Sequence, residues 1–227
     1  MLQLYIGNKN YSSWSMRPWV LMKQAGIEFE ERMVRFDSFD PDSDFKKTVL
    51  AVNPLGKVPV LVHDGLAISD TLAICEYLAE TFPDRHLWPA DKAMRAMARS
   101  ACAEMHAGFG ALRTHCGMNV EADLSHQGAI VWRDQAGVRA DVSRIAALWS
   151  GLLAAHGGPM LFGDFGIADA YFAPVASRIT TYSLPVPADV AAYVARLQAL
   201  PGVRAWNDAA RAEQDFVPMD EPYRLSR

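Results

Sequence analysis

Asn53-Pro54-Leu55-Gly56-Lys57-Val58-Pro59-Val60-Leu61-Val62 is the stretch on which the fold turns. Pro59 opens an apolar run. A proline lacks the N–H that a strand ladder needs, so it belongs at an edge or at a strand's start. The run ends as a strand, and His63-Asp64-Gly65 turns it into another, Leu66 to Ile68. Asp-Gly between apolar runs is a hairpin signal. Asp70 to about Thr81 then reads as a helix, with Leu72, Ile74, Leu78 and Phe82 among its apolar residues. Working back from Asn53, Leu2 to Gly7 is a strand with Leu2, Leu4 and Ile6 on one face. A polar turn, residues 8–13, leads into a helix from about Ser15 to Ala25, stopped by Gly26. Phe29 to Phe36 is a second strand, and residues 37–44 form an acidic surface loop. The order is β-α-β, loop, β-β-α.

Beyond Asp91 the strand signals fade. Asp91 can cap a long helix carrying Met94, Met97, Ala101, Met105, Phe109 and Leu112 at helical spacing. A second long helix carries Val138, Val142, Ile145, Leu148 and Leu152. Shorter helices follow near residues 167–181, 188–199 and 203–212. The expected division is 1–82, a linker at 83–90, and an all-helical 91–227. With 227 residues, about half of them apolar, the chain can build such cores.

The formal net charge is −4, which argues against nucleic acid or an anionic membrane as partner. No apolar stretch is long enough to span a bilayer. Met-Leu-Gln-Leu-Tyr enters a strand pattern at once, so no signal peptide is expected. The three cysteines, Cys75, Cys102 and Cys116, form no CxxC pair, which fits a reducing cytosol. The six histidines have no ligand spacing, so no metal is expected.

Three places could carry chemistry. Ser12-Ser13-Trp14-Ser15 sits where a helix begins. Free N–H groups and a hydroxyl there could stabilise a thiolate, or the serines could simply cap the helix. Val58-Pro59 is either an ordinary trans start to a strand or a cis bond that turns the Val58 backbone outward toward an extended peptide. Ser69-Asp70-Thr71 begins a helix. It could cap that helix, or receive a carboxylate on its N–H groups and an ammonium on Asp70. Lys57 could meet a second carboxylate or remain solvated.

In this order and spacing, Ser-Ser-Trp-Ser-Met-Arg, Asn-Pro-Leu-Gly-Lys-Val-Pro-Val-Leu and Ser-Asp-Thr-Leu-Ala-Ile-Cys-Glu-Tyr-Leu resemble the N-terminal thioredoxin-like domain of cytosolic glutathione transferases. The match is to a bacterial-type member of the Ser-type classes, zeta and tau. The helical half resembles the family's C-terminal domain. The resemblance implies an α/β thioredoxin-like domain followed by an all-α domain, glutathione as co-substrate, and a cytoplasmic, detoxifying homodimer.

Residue by residue, it implies Ser12 as the thiolate's hydrogen-bond donor, five positions before Arg17, with Ser13 beside it and Ser15 as a helix cap. Tyr11 is the local alternative. Val58 would pair its backbone with the cysteinyl unit, Pro59 would be cis, Asp70 and Thr71 would hold the γ-glutamyl end, and Lys57 would contact the tripeptide. Trp14 stands where the zeta class has cysteine, a departure from that class's isomerases. An electrophile pocket is expected from Trp14 and from Met105, His106, Phe109 and Arg113 on the first long helix. A glutathione-dependent isomerase or dehalogenase, and a non-catalytic interaction protein of this fold, are the competing functions. Gly163 to Asp169 resembles the family's capping motif, with Gly166 where Ser or Thr is usual. On that basis Gly166→Ser is expected to raise the melting temperature.

Overall fold

Leu2, Leu4 and Ile6 are buried while Gln3 and Tyr5 are not fully so, and this alternation sets the first strand, β1 (Leu2–Ile6), at the centre of a sheet. The computed structural model describes residues 1–38 and 40–227. After β1 come α1 (Ser13–Gln24), β2 (Glu30–Met33), α2 (Asp44–Leu50), β3 (Val60–His63), β4 (Leu66–Ile68) and α3 (Thr71–Thr81). The sheet order is β2-β1-β3-β4. β2 runs parallel to β1, and β3 antiparallel to both β1 and β4. Leu4 lies opposite Leu61, placing two fully buried leucines at the sheet centre. This is the thioredoxin-like arrangement expected from the sequence.

A helical region follows: α4 (Lys92–Ala107), α5 (Gly110–His115), α6 (Ser125–Asp134), α7 (Ala136–His156), α8 (Ile167–Thr181), α9 (Ala188–Ala199) and α10 (Pro201–Glu213). Helix α1 joins the two parts. It packs on α3 from its own side and on α8 and α10 from the other. That position explains why α1 is buried from Ser15 to Met22. Helix α10 offers Val203, Trp206, Asn207 and Ala210, one stripe at helical spacing, to the same core. Among the described residues no helix is long and apolar enough to cross a membrane.

The structure departs from the sequence expectation at four points. Helix α1 starts at Ser13 rather than Ser15. Helix α2 was not expected. Its cap is Ser43, whose hydroxyl accepts from the Lys46 N–H at 3.1 Å, and its Phe45 and Val49 cover Val34 and Val60 on the outer face of the sheet. Asp37, Asp40, Asp42 and Asp44 are exposed as expected of that acidic loop, whose Phe39 lies outside the described residues. The first long helix is two helices, because Phe109 adopts φ +56° after Gly108. A Cβ on Gly108 would lie 2.7 Å from the Glu104 carbonyl oxygen, so only glycine closes α4 in this way. Phe109 and Arg113 are therefore not on the helix that carries Met105 and His106. Finally, α6 fills a stretch where no element is expected from the sequence.

Candidate functional site

The polar turn after β1 places Ser12 at the N-cap of α1, 6% exposed. Its side chain makes no capping bond. Instead its hydroxyl lies 2.7 Å from that of Ser15, which also accepts the Gly7 N–H at 3.2 Å. Ser15, expected as the cap, is buried in the first turn and serves as this anchor. Ser13 is the first helical residue, half-buried, and its hydroxyl makes no hydrogen bond among the described residues. Tyr11 is directed elsewhere: its hydroxyl donates to the Glu221 carboxylate at 2.7 Å. Burial, then that bond, pushes its pKa up to about 12.

The bond between Val58 and Pro59 is cis, as is that between Ser69 and Asp70. Lys57, Val58, Pro59, Asp70 and Thr71 line one cavity of about 260 Å³, together with Trp14, His106 and Arg113. A neighbouring cavity of about 380 Å³ holds Ser12, Ser13, Lys46 and Asp220, and shares Trp14, Lys57 and Val58 with the first. The serine turn, the proline strand and the start of α3 thus meet around one wall. Met105 and Phe109, expected at the pocket, line neither cavity: Met105 is fully buried and Phe109 is 6% exposed, both in the core. The apolar spacing that suggested them is the spacing of core residues.

Asp70 serves two purposes at once. One carboxylate oxygen caps α3, accepting from the N–H groups of Leu72 and Ala73 at 2.9 and 3.4 Å. The other lies 3.2 Å from His106 Nε2, and His106 Nδ1 is 2.8 Å from the Tyr171 hydroxyl. Thr71 is buried beneath and donates to the Trp14 carbonyl at 3.4 Å.

Trp14 is flanked by cations. The Arg17 guanidinium lies 4.0 Å from its ring centre and that of Arg113 5.0 Å, with the His106 ring at 5.1 Å. Arg17 is fully enclosed and donates to the carbonyls of Tyr171 and Ser13 at 2.9 and 3.3 Å. Burial lowers its pKa to about 9. Arg113 and Lys57 have no carboxylate partner among the described residues, so the first cavity presents two cations and one carboxylate to a ligand.

Sequence reasoning missed Lys46 and Asp220. Lys46 belongs to the unexpected helix α2. Asp220 lies in a 3₁₀ turn, Pro218–Asp220, that carries no local signal. Cys75, Cys102 and Cys116 are all buried, and burial raises each thiol, Cys116 to about 12. None lines either cavity. No group of three or more metal-binding side chains occurs among the described residues.

A larger cavity, about 550 Å³, lies between residues 85–91 and the start of α8. Its buried acid, Asp169, is fully engaged: it accepts from the N–H groups of Leu161 and Gly166 and from the Tyr193 hydroxyl. That is a structural cap, and none of the candidate residues reaches it. Gly166 is required there, because a Cβ would lie 2.9 Å from the Leu87 carbonyl oxygen. The expectation that serine would stabilise this position is reversed.

Comparison with known proteins agrees with the fold. A family model described as glutathione S-transferase, N-terminal domain, matches residues 11–81. The chain is 29% identical over 218 residues to glutathione S-transferase 1 of Dianthus caryophyllus, covering 95% of this chain and 89% of that protein. It is 38% identical over 97 residues to a probable maleylacetoacetate isomerase of Caenorhabditis elegans, 43% of this chain and 42% of that one. A solved glutathione transferase homologue from Burkholderia, with bound glutathione, matches with a TM-score of 0.68 and 28% identity, covering 93% of this chain and 98% of that one.

Proposed function

This chain belongs to the cytosolic glutathione transferase superfamily, and from that premise we propose that it binds glutathione, holds it as the thiolate and adds the sulfur to an electrophilic carbon of a small molecule. The observation that carries this is the shared wall: Lys57, Val58, Pro59, Asp70 and Thr71 line one cavity, and Ser12 and Ser13 open onto the next across Trp14. Glutathione offers an ammonium and a carboxylate at one end, a thiol in the middle and a carboxylate at the other. Asp70 receives the ammonium, and the start of α3 with Thr71 receives the adjoining carboxylate. The Val58 backbone pairs with the cysteinyl unit, and Lys57 meets the far carboxylate.

The thiol then falls beside Ser12 at the N-terminus of α1. A free thiol has a pKa of about 8.5, and each unit of lowering takes about 1.4 kcal/mol of preference for the anion. A charge-assisted hydrogen bond and a helix N-terminus supply that order of energy. The electrophile occupies the second cavity, walled by Trp14, Phe36 and Phe45. The residue ranges 1–82, 83–90 and 91–227 are the corresponding domain division, and a cytoplasmic homodimer is its setting.

A glutathione-dependent isomerase is the second reading, favoured by the relative named as a probable maleylacetoacetate isomerase. It uses the same thiolate, but releases glutathione again. Product analysis separates the two: a transferase leaves a stable sulfur–carbon conjugate, an isomerase none.

The deciding experiment is the ultraviolet thiolate absorbance of bound glutathione against pH, in the wild type and in Ser12→Ala. The wild type should titrate well below free glutathione, and Ser12→Ala close to it. Absence of binding would favour a non-catalytic interaction protein. An unchanged Ser12→Ala titration would move the role to Ser13.

A further inference from the structure

A donating hydroxyl stabilises a thiolate but cannot absorb the proton that the thiol gives up. We propose that Asp220 takes that proton, resting on the assignment of Ser12 as the thiolate's donor. Asp220 lines the same cavity as Ser12 and Ser13. Its carboxylate has no hydrogen-bond or ion-pair partner among the described residues.

The chain holds it there by a register. Tyr11, next to Ser12, donates to Glu221, next to Asp220, at 2.7 Å. The bond therefore brings the two neighbouring pairs together across 210 positions of sequence. The segment carrying Asp220 is fastened at several further points. The Val217 N–H donates to Tyr11 at 3.4 Å, Asn119 to Glu221 at 2.9 Å, and the Tyr223 hydroxyl to the His115 carbonyl at 2.8 Å.

Two adjacent acids thus have opposite environments. Burial, then the neighbouring Glu221, raises the pKa of Asp220. Burial would raise Glu221 as well, but bonds from Arg224 and Tyr11 hold it below its usual value. Neighbouring carboxylates driven apart in this way suit one to remain a fixed anion and the other to exchange a proton. Besides Asp220, the charged or titratable groups lining the cavity are Tyr11, Lys46 and Lys57, with Glu221 behind Tyr11.

In the step itself the S–H bond breaks, its electron pair stays on sulfur, and an O–H bond forms on Asp220. The protonated acid is neutral, so it no longer opposes the thiolate. When the sulfur adds to an activated double bond, the S–C bond forms and the π pair moves to the next carbon. That carbon takes the proton back from Asp220, leaving hydrogen and sulfur added across the bond.

The test is stopped-flow thiolate absorbance on mixing with glutathione, in the wild type, Asp220→Asn and Asp220→Glu, with calorimetric Kd values and melting curves alongside. Asp220→Asn should slow thiolate formation by about 100-fold, within the usual range for a general base. Its final thiolate fraction should not fall, and its Kd should stay within about threefold, a difference under 1 kcal/mol. Asp220→Glu should recover much of the rate. An Asp220→Asn rate equal to the wild type overturns the proposal, as does a rate that falls only in step with the final thiolate fraction. A wild type with no thiolate band overturns the site assignment and this step together. A normal band with an unslowed Asp220→Asn overturns this step alone.

Discussion

Asp70, at the start of α3, and His106, near the end of α4, face each other at 3.2 Å, carboxylate oxygen to imidazole nitrogen. The other Asp70 oxygen is occupied in capping α3. An amide in place of the carboxylate keeps the capping oxygen and loses the charge. Asp70→Asn should therefore cost less than about 1 kcal/mol of stability. Its glutathione affinity should fall by about ten- to a hundredfold, the worth of a hydrogen bond to a charged group. Calorimetry and thermal melts separate the two effects. A lower melting temperature with an unchanged Kd would leave Asp70 as a cap alone.

Tyr11→Phe tests the alternative activator. The hydroxyl is committed to Glu221, so its loss should destabilise the fold by about 2 kcal/mol, as for other hydrogen bonds to charged groups. The equilibrium titration of bound glutathione should not move. An upward shift of that titration in Tyr11→Phe would show that the phenol, not Ser12, contacts the sulfur.

Gly166→Ser should lower stability, by about 1–3 kcal/mol, the usual cost of forcing extra atoms into a packed site. The added Cβ meets the Leu87 carbonyl oxygen at 2.9 Å, and that oxygen already accepts the Ile167 N–H at 3.0 Å. Differential scanning calorimetry decides it; a higher melting temperature would mean that the linker backbone yields and the new hydroxyl caps α8.

Asp169 gives a pH signature. Burial raises its pKa from 3.8 to about 6, against the hydrogen bonds from Leu161, Gly166 and Tyr193, which oppose the rise. The native state therefore favours the protonated acid. Its stabilising contribution is full below 3.8 and is lost as pH rises through 6. Asp169→Asn has no such titration. The stability difference, wild type minus Asp169→Asn, should fall as pH rises from 3.8 through 6, at most by about 1.4 kcal/mol per pH unit, and level off about one unit above that. A flat difference throughout would mean that burial leaves the acid's pKa at its unfolded value.

The sheet and its hairpin were legible because their signals are local. Pro59 forbids a ladder N–H, Asp64-Gly65 makes a tight turn, and Leu2, Leu4 and Ile6 alternate. Helix α2 was not, because its Lys46 and Lys47 follow a run of acids and only Phe45 and Val49 mark its buried face. The break at Gly108 was hidden by a run of apolar residues that keeps helical spacing across it. The residues before β3 and at the start of α3 that line one cavity were readable as an ordered set. Met105 and Phe109 were misplaced for the opposite reason: a large apolar side chain looks the same whether it lines a cavity or fills a core. Asp220 could not be read at all, since the Tyr11–Glu221 bond that positions it joins opposite ends of the chain.

The sealed cysteines bear on durability. Compounds that react with glutathione react with any accessible thiolate, so a catalyst that concentrates them risks being alkylated by its own cargo. Cys75, Cys102 and Cys116 escape this through burial and raised thiol pKa values. In the proposed reaction the cosubstrate's sulfur would then be the one nucleophilic thiol that an electrophile meets, and turnover would not consume the protein.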